Sequence, residues 1–198
     1  MNEKEPSSLI PRPDTGAAPV FRPDGLPGIL DLPHAPRRVL CGDLDMRIDA
    51  DGTWYYGGTP IGRKEMVRLF ATVLHRAADG LYWLATPAEM GRIAVEDAPF
   101  LVVAATVKDP GPNQVVQLRT NLDDVVPLDD THPLRVEVDS AETPRPYVVI
   151  RRRLEARINR ATFYHLVDLA EMRESDSGTE LQVRSAGRWF SLGAVEAE

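Results

Sequence analysis

WYYGGTPIGRKEMVRLFATVLHRAAD, residues 54–79, is the stretch from which the rest of this chain can be read. Trp54, Tyr55 and Tyr56 are β-prone. Gly57-Gly58-Thr59-Pro60 breaks that strand. Met66, Val67, Leu69, Phe70, Val73, Leu74 and Ala77 then recur at helical spacing and predict a wide apolar helix face. Arg63, Lys64, Arg68 and Arg76 lie mostly off it. Gly62 is the expected N-cap and Gly80 the expected C-terminal cap.

On the N-terminal side, Leu44, Met46 and Ile48 alternate with polar residues as in a half-buried strand. Asp49 to Gly52 supplies the turn of a hairpin into Thr53–Tyr56. On the C-terminal side, Leu81–Ala85 reads as a strand. Thr86-Pro87-Ala88-Glu89 has capping-box form and predicts about one helical turn before Gly91. Arg92–Glu96, Phe100–Val107 and Val115–Thr120 are further strands, and Leu134, Val136 and Val138 alternate again. Tyr147–Ile158 reads as one long strand. Asn159 caps a helix expected to reach about Met172, and a hairpin closes around Ala186-Gly187.

A shift of 97 residues brings Ile61, Arg63, Leu69, Arg76 and Asp79 onto Ile158, Arg160, Leu166, Arg173 and Asp176, all identical. The order hairpin, helix, hairpin recurs around both helices, which predicts an internal duplication. The expected fold class is α+β: duplicated hairpin–helix–hairpin units with mainly antiparallel sheet. The expected divisions are a Pro-rich arm at 1–41, a first repeat at 42–125 and a second at 126–198.

Of the 198 residues, 43% are hydrophobic and 27% charged, enough to bury a core without staples. The net charge of −7 argues against nucleic acid as a partner. The single cysteine, Cys41, allows no intramolecular disulfide. No apolar run is long enough to span a bilayer, and the N-terminus lacks a signal core. A cytoplasmic protein is expected.

The segments GTWYYGGTPIGRKEMVRLF, LYWLATPAE, IAVEDAPF, PYVVIRRRLEARINRATFYHL and GRWFSLG, in this order, resemble a bacterial family known as domain of unknown function 1285. The resemblance runs from about Gly42 to Gly193. It implies a duplicated core whose C-terminal half is superficially pleckstrin-homology-like. It also implies a ligand site between the halves, for a nucleotide-like molecule, and a part in signal transduction. The family has no catalytic residues to carry over.

The residues themselves suggest sites of binding type. Arg63 and Arg160 occupy matching first-turn positions, where helix N–H groups and a guanidinium together favour anions; alternatively each pairs with an acid of the other unit. Glu96 and Asp97 are adjacent carboxylates that a strand would point to opposite sides, so they suit salt bridging or ligand recognition better than acid–base chemistry. Arg151 and Arg153 would share a strand face opposite Arg152, and with Arg119, Arg145 and Arg157 they outline a cationic groove or a charged sheet edge. Trp54, Tyr56, Trp83 and Trp189 could wall a pocket or fill the core. Asp123, Asp124, Asp129, Asp130 and His132 form an acidic loop whose spacing matches no calcium loop. The four histidines show no zinc spacing, and no phosphate loop, dinucleotide fingerprint or nucleophile elbow is present. The expectation is a binding or signalling protein that holds a small anionic or nucleotide-like ligand between its repeats, without cofactor or metal. The alternatives are a protein-interaction adaptor and a hydrolase using Glu96 or Asp97.

Overall fold

The computed structural model describes residues 39–175 and 178–195. The expected Pro-rich arm, up to residue 38, lies outside the described residues, and the first strand already begins at Val39.

The described residues form three sheets and two helices. The first contains β1 (Val39–Ile48), β2 (Trp54–Tyr56), β3 (Thr59–Pro60), β4 (Leu74–Arg76), β5 (Tyr82–Ala85) and β6 (Glu89–Val95). Helix α1 (Lys64–Thr72) lies between β3 and β4 in the chain. The second sheet contains β7 (Phe100–Lys108), β8 (Val115–Thr120), β9 (Val125–Pro127), β10 (Leu134–Val138), β11 (Pro144–Arg151) and β12 (Leu154–Ile158). Helix α2 (Arg160–Asp168) follows, and then a three-stranded sheet of β13 (Glu171–Ser175), β14 (Gly178–Ser185) and β15 (Arg188–Ala194). The pairing is antiparallel except where β1 meets β6 and β12 meets β7. The fold is therefore mainly β with two short helices. No helix among the described residues is long and apolar enough to cross a membrane.

The duplication is visible as a recurring order of hairpin, nine-residue helix and three-stranded antiparallel meander. Its structural register differs by one residue from the one that maximises identity. The helices start 96 residues apart, at 64 and 160. In that register Val67 falls on Phe163 and Phe70 on Leu166, and all four are buried. The 97-residue shift would set Leu69, 52% exposed, on Leu166, 0% exposed. Burial defines a helix face, so the identical pairs Arg63/Arg160 and Leu69/Leu166 are not structural equivalents.

Both helices are shorter than their apolar periodicity suggests. Arg63 caps α1 with extended backbone and no side-chain bond, and the helix stops at β-branched Thr72 and Val73. Leu74–Arg76, expected as helix, is β4, with Leu74 opposite Leu84 on β5. A buried cross-strand pair outweighs a weak local helix preference there. Gly80, at φ +87°, serves the β4–β5 turn rather than a helix end. Likewise α2, capped by Asn159 accepting from the Thr162 amide at 2.8 Å, ends at Asp168, and β13 begins at Glu171.

The Thr86–Glu89 segment makes no helical turn. Thr86 Oγ1 accepts from the Glu89 amide at 3.0 Å, as a cap would, but the chain turns straight into β6. Gly91 lies within that strand, and a Cβ there would stand 2.5 Å from Leu44 Cγ on the neighbouring β1. Glycine is required for the close approach of two strands, not for ending a helix.

The expected division at 125/126 falls inside β9, within the second sheet. Strands β7 and β8 pair with β12 and β9, so residues 100–127 build the second sheet together with 134–158. One apolar core joins both halves: Ile48, Trp54, Phe70 and Leu84 are continuous with Phe100, Val102, Leu118, Leu154 and Leu166. Asn121 ties the sheets, accepting from the Leu101 amide at 3.2 Å and donating to the Gly52 carbonyl at 3.3 Å.

Two outcomes are expected. Gly91→Ala should lower the unfolding free energy in urea by about 1–3 kcal/mol through overpacking. Adding Leu44→Ala should recover part of that loss; strictly additive losses would count against the contact. The second concerns Glu155, whose carboxyl the Arg135 guanidinium, and then Arg76, hold below the usual glutamate range. Its contribution is complete above its unfolded pKa of roughly 4.3 and is lost as pH falls through the depressed folded value. The stability gap between wild type and Glu155→Gln should be constant above about pH 5 and close toward zero in more acidic urea titrations.

Candidate functional site

The chain leaves the first sheet at Val95 and enters the second at Phe100, and Asp97 sits on that crossing. Its side chain is 10% exposed. Tyr147 Oη donates to Oδ1 at 2.7 Å, and Arg145 Nη2 and Arg157 Nη1 lie 2.9 and 3.2 Å from Oδ2. Burial, and then the bond to Asp97, push the Tyr147 phenol up to about 12, so it stays a donor. Both carboxylate oxygens are engaged, which makes Asp97 an anchor for two arginines rather than a poised base. Glu96 points elsewhere, accepting from Arg47 and from the Ala50 amide, each at 3.1 Å.

Two cationic cavities are lined by residues of the β11–β12 hairpin that Asp97 holds. One, of about 420 Å³, lies between the halves. Arg76 and Gly80 of the first half line it together with Arg152, Arg153 and Glu155 of the second. Glu155 pairs with Arg76 at 3.1 Å and with Arg135 at 2.6 Å. Arg152 donates to His75 Nδ1 at 3.3 Å, which requires that nitrogen unprotonated. Arg152 and Arg153 are the two residues joining β11 to β12, and Arg152 holds φ +53°. Tyr147–Ile158 is thus a hairpin and not one long strand, so Arg151 and Arg153 do not share a strand face. Nothing in the run RRRL carries the Gly, Asn or Pro that marks a turn.

The other cavity, of about 500 Å³, opens at the start of α2, lined by Arg145, Arg157 and Arg160 with Phe163 and Tyr164. Arg160 therefore faces a cavity, whereas Arg63, exposed at the N-cap of α1, lines neither. The two do not converge.

The remaining candidates do not line these two cavities. Trp54, 1% exposed, stacks on Phe70 at 6.3 Å within the core, and Tyr56, 42% exposed, lies on β2 away from both cavities. Arg119, Lys64 and Arg68 gather on Asp123, at 3.6, 2.7 and 3.8 Å. Arg151 reaches Asp124 at 3.1 Å and the Ala71 carbonyl, at the end of α1, at 2.7 Å. Asp130 takes Arg188, and Asp129 accepts from Thr131 and His132. The acidic loop is a receiver of ion pairs. Among the described residues no three His, Cys, Asp or Glu side chains are placed to hold a metal ion.

Sequence reasoning reached Asp97, Arg145, Arg153, Arg157 and Arg160 but missed Arg76, Tyr147 and Tyr164. Arg76 was hidden because its segment looks helical, whereas β4 aims it at Glu155. The aromatic ring at 164 and the arginine at 160 stand four apart on a helix, a spacing that could have paired them.

Among curated proteins none matches this chain. A family model described as "Domain of unknown function (DUF1285), N-terminal domain" matches residues 35–98, and one described as "Protein of unknown function (DUF1285), C-terminal domain" matches residues 99–192. The break at 98/99 coincides with the crossing at Asp97. A crystal structure of a DUF1285 family protein from Silicibacter pomeroyi DSS-3 is similar, with 41% identity, TM-score 0.73, and coverage of 80% of this chain and 85% of that one. Another, from Shewanella baltica OS155, has 28% identity and TM-score 0.50 over 63% of this chain and 91% of that one. With the two family models together matching residues 35–192 and a 41% identical relative of similar structure, the chain belongs to the DUF1285 family.

Proposed function

We propose that this protein is a binding module for a small anionic ligand, phosphate- or carboxylate-bearing, held in the cavity between its halves. The observation that carries the reading is the meeting of Arg76 from the first half with Arg152 and Arg153 from the second on one 420 Å³ cavity. Glu155, the one acid among the described lining residues, is already engaged by Arg76 and Arg135. Guanidiniums gathered on one wall of a cavity favour an anion there even in a chain of net charge −7. The described residues lining this cavity carry guanidiniums and no aromatic ring, which favours recognition through the charged group.

The hairpin tip adds support. A left-handed backbone costs a non-glycine residue about 1–2 kcal/mol, and such strain gathers at ligand clamps. Arg152 carries that cost at an exposed position on the cavity wall. We read the second half as a superficially pleckstrin-homology-like scaffold, and the protein as one that reports ligand occupancy in signal transduction rather than turning ligand over. What supports this is the engagement of both oxygens of Asp97 and of Glu96 by donors.

Arg152→Gly separates the two roles of this position. Urea unfolding should show the variant more stable by about 1 kcal/mol. Titration calorimetry with inorganic phosphate and with citrate should show affinity lowered roughly 10-fold or more. Wild type binding neither anion, or the variant binding as wild type does, would overturn the reading.

A further inference from the structure

The cavity at the start of α2 has a different chemistry from the one between the halves. Its volume of about 500 Å³ suits a small organic molecule. Its wall combines Arg145, Arg157 and Arg160 with Phe163, Tyr164 and the flanking prolines 144 and 146. Two of the three arginines are held in place from behind, since Arg145 and Arg157 share Asp97 Oδ2. Their guanidiniums are fixed by a side chain that does not itself line the cavity, an arrangement that preorganises the donors left over.

Two of the three arginines have acids beside them: Asp97 holds Arg145 and Arg157, and Asp51 lies close enough to Arg157 to feel its charge. Asp139 also lies on the wall. The carboxylate of Asp139 is turned to its own loop, where Oδ1 accepts from the Ala141 and Thr143 amides, both at 2.9 Å. The guanidinium left to meet an anion is that of Arg160. It has no carboxylate partner among the described residues, and its donors Nε and Nη2 both go to the neutral Tyr164 hydroxyl, at 3.3 and 3.1 Å. The Arg160 guanidinium also lies 5.4 Å from the Tyr164 ring centroid. Tyr164 is 52% exposed, so an aromatic face is presented to the cavity mouth and held there by the arginine. Arg160 is the first residue of α2, where the helix dipole adds to the preference for an anion.

We propose that this cavity is a second binding site, for a planar aromatic ring bearing one anionic group, with the anion met by Arg160 and Arg157 and the ring laid against Tyr164. The site lies wholly within residues 101–164, stands on different residues from the inter-half cavity, and does not depend on that site's being occupied.

Titration calorimetry of the full chain with phenyl phosphate and with inorganic phosphate tests it. Wild type should bind phenyl phosphate roughly 10-fold more tightly than inorganic phosphate, because ring stacking adds to the charge contact. Arg160→Ala should weaken phenyl phosphate roughly 10- to 100-fold, as for loss of a charged hydrogen bond, and Arg160→Lys should restore part of the loss. Tyr164→Ala should abolish the preference for phenyl phosphate over inorganic phosphate. In Arg152→Gly, where the site between the halves is weakened, the preference for phenyl phosphate over inorganic phosphate should persist, because it comes from Tyr164, which separates the two sites. The proposal is overturned if phenyl phosphate shows no preference in wild type, if Arg160→Ala binds it normally, or if Arg152→Gly alone removes the preference.

Discussion

A carboxylate placed where a chain passes from one sheet to another, and nearly shut off from water, must collect cations or forfeit its charge. Asp97 collects two arginines and a tyrosine hydroxyl, all from β11 and β12 and their edge. That set of bonds fixes where the second sheet's hairpin stands relative to the end of the first. Strand β12 must then lie beside β7, the strand that follows Asp97, and the parallel register Ala156–Phe100 is what results. The same bonds place Arg145 and Arg157 on the wall of one cavity, and the hairpin they steer carries Arg152 and Arg153 to the wall of the other. One buried acid thus positions cationic groups on two sides.

The halves are joined because one apolar core runs through both, with only a small satellite cluster around Trp83 and Met90 apart from it. The ion pairs across the seam add direction rather than much energy. Lys64–Asp123 and Arg151–Asp124 are largely exposed, and pairs of that kind contribute little each. They do, however, absorb the acidic loop, so the negative charge of residues 123–132 is spent on the fold while the cationic tip at 152–153 stays beside a cavity. A chain of overall negative charge can in this way present two local positive sites.

Much of the strand pattern was legible because alternation along β1 and the apolar run of β7 are direct consequences of burial. The duplication was legible too, but its register slipped by one, since identities at exposed positions such as Arg63 carry no information about which face is buried. Helix ends were misjudged for a tertiary reason. Leu74 and Ala77 continue a helical stripe, yet pairing with β5 buries Leu74 just as well, and only the sheet can decide between the two. The hairpin tip at Arg152-Arg153 was invisible because it uses a strained arginine where a glycine would have announced a turn. Of the candidate site, Asp97 and the arginines 145, 153, 157 and 160 could be reached by counting charges. Which of them share a cavity could not, because that follows from the crossing at Asp97 and not from spacing along the chain.

The most direct test of this view is the unfolding of Asp97→Asn in urea, followed by tryptophan fluorescence and by far-ultraviolet circular dichroism. The substitution keeps the shape and leaves Arg145 and Arg157 side by side without their counter-charge. If Asp97 fastens the two sheets into one cooperative unit, both signals shift together, with a loss of about 2–4 kcal/mol, reduced from the fully buried case by the partial exposure of the arginines. A change below about 0.5 kcal/mol, the range of ordinary surface substitutions, or a shift in one signal alone, would contradict it.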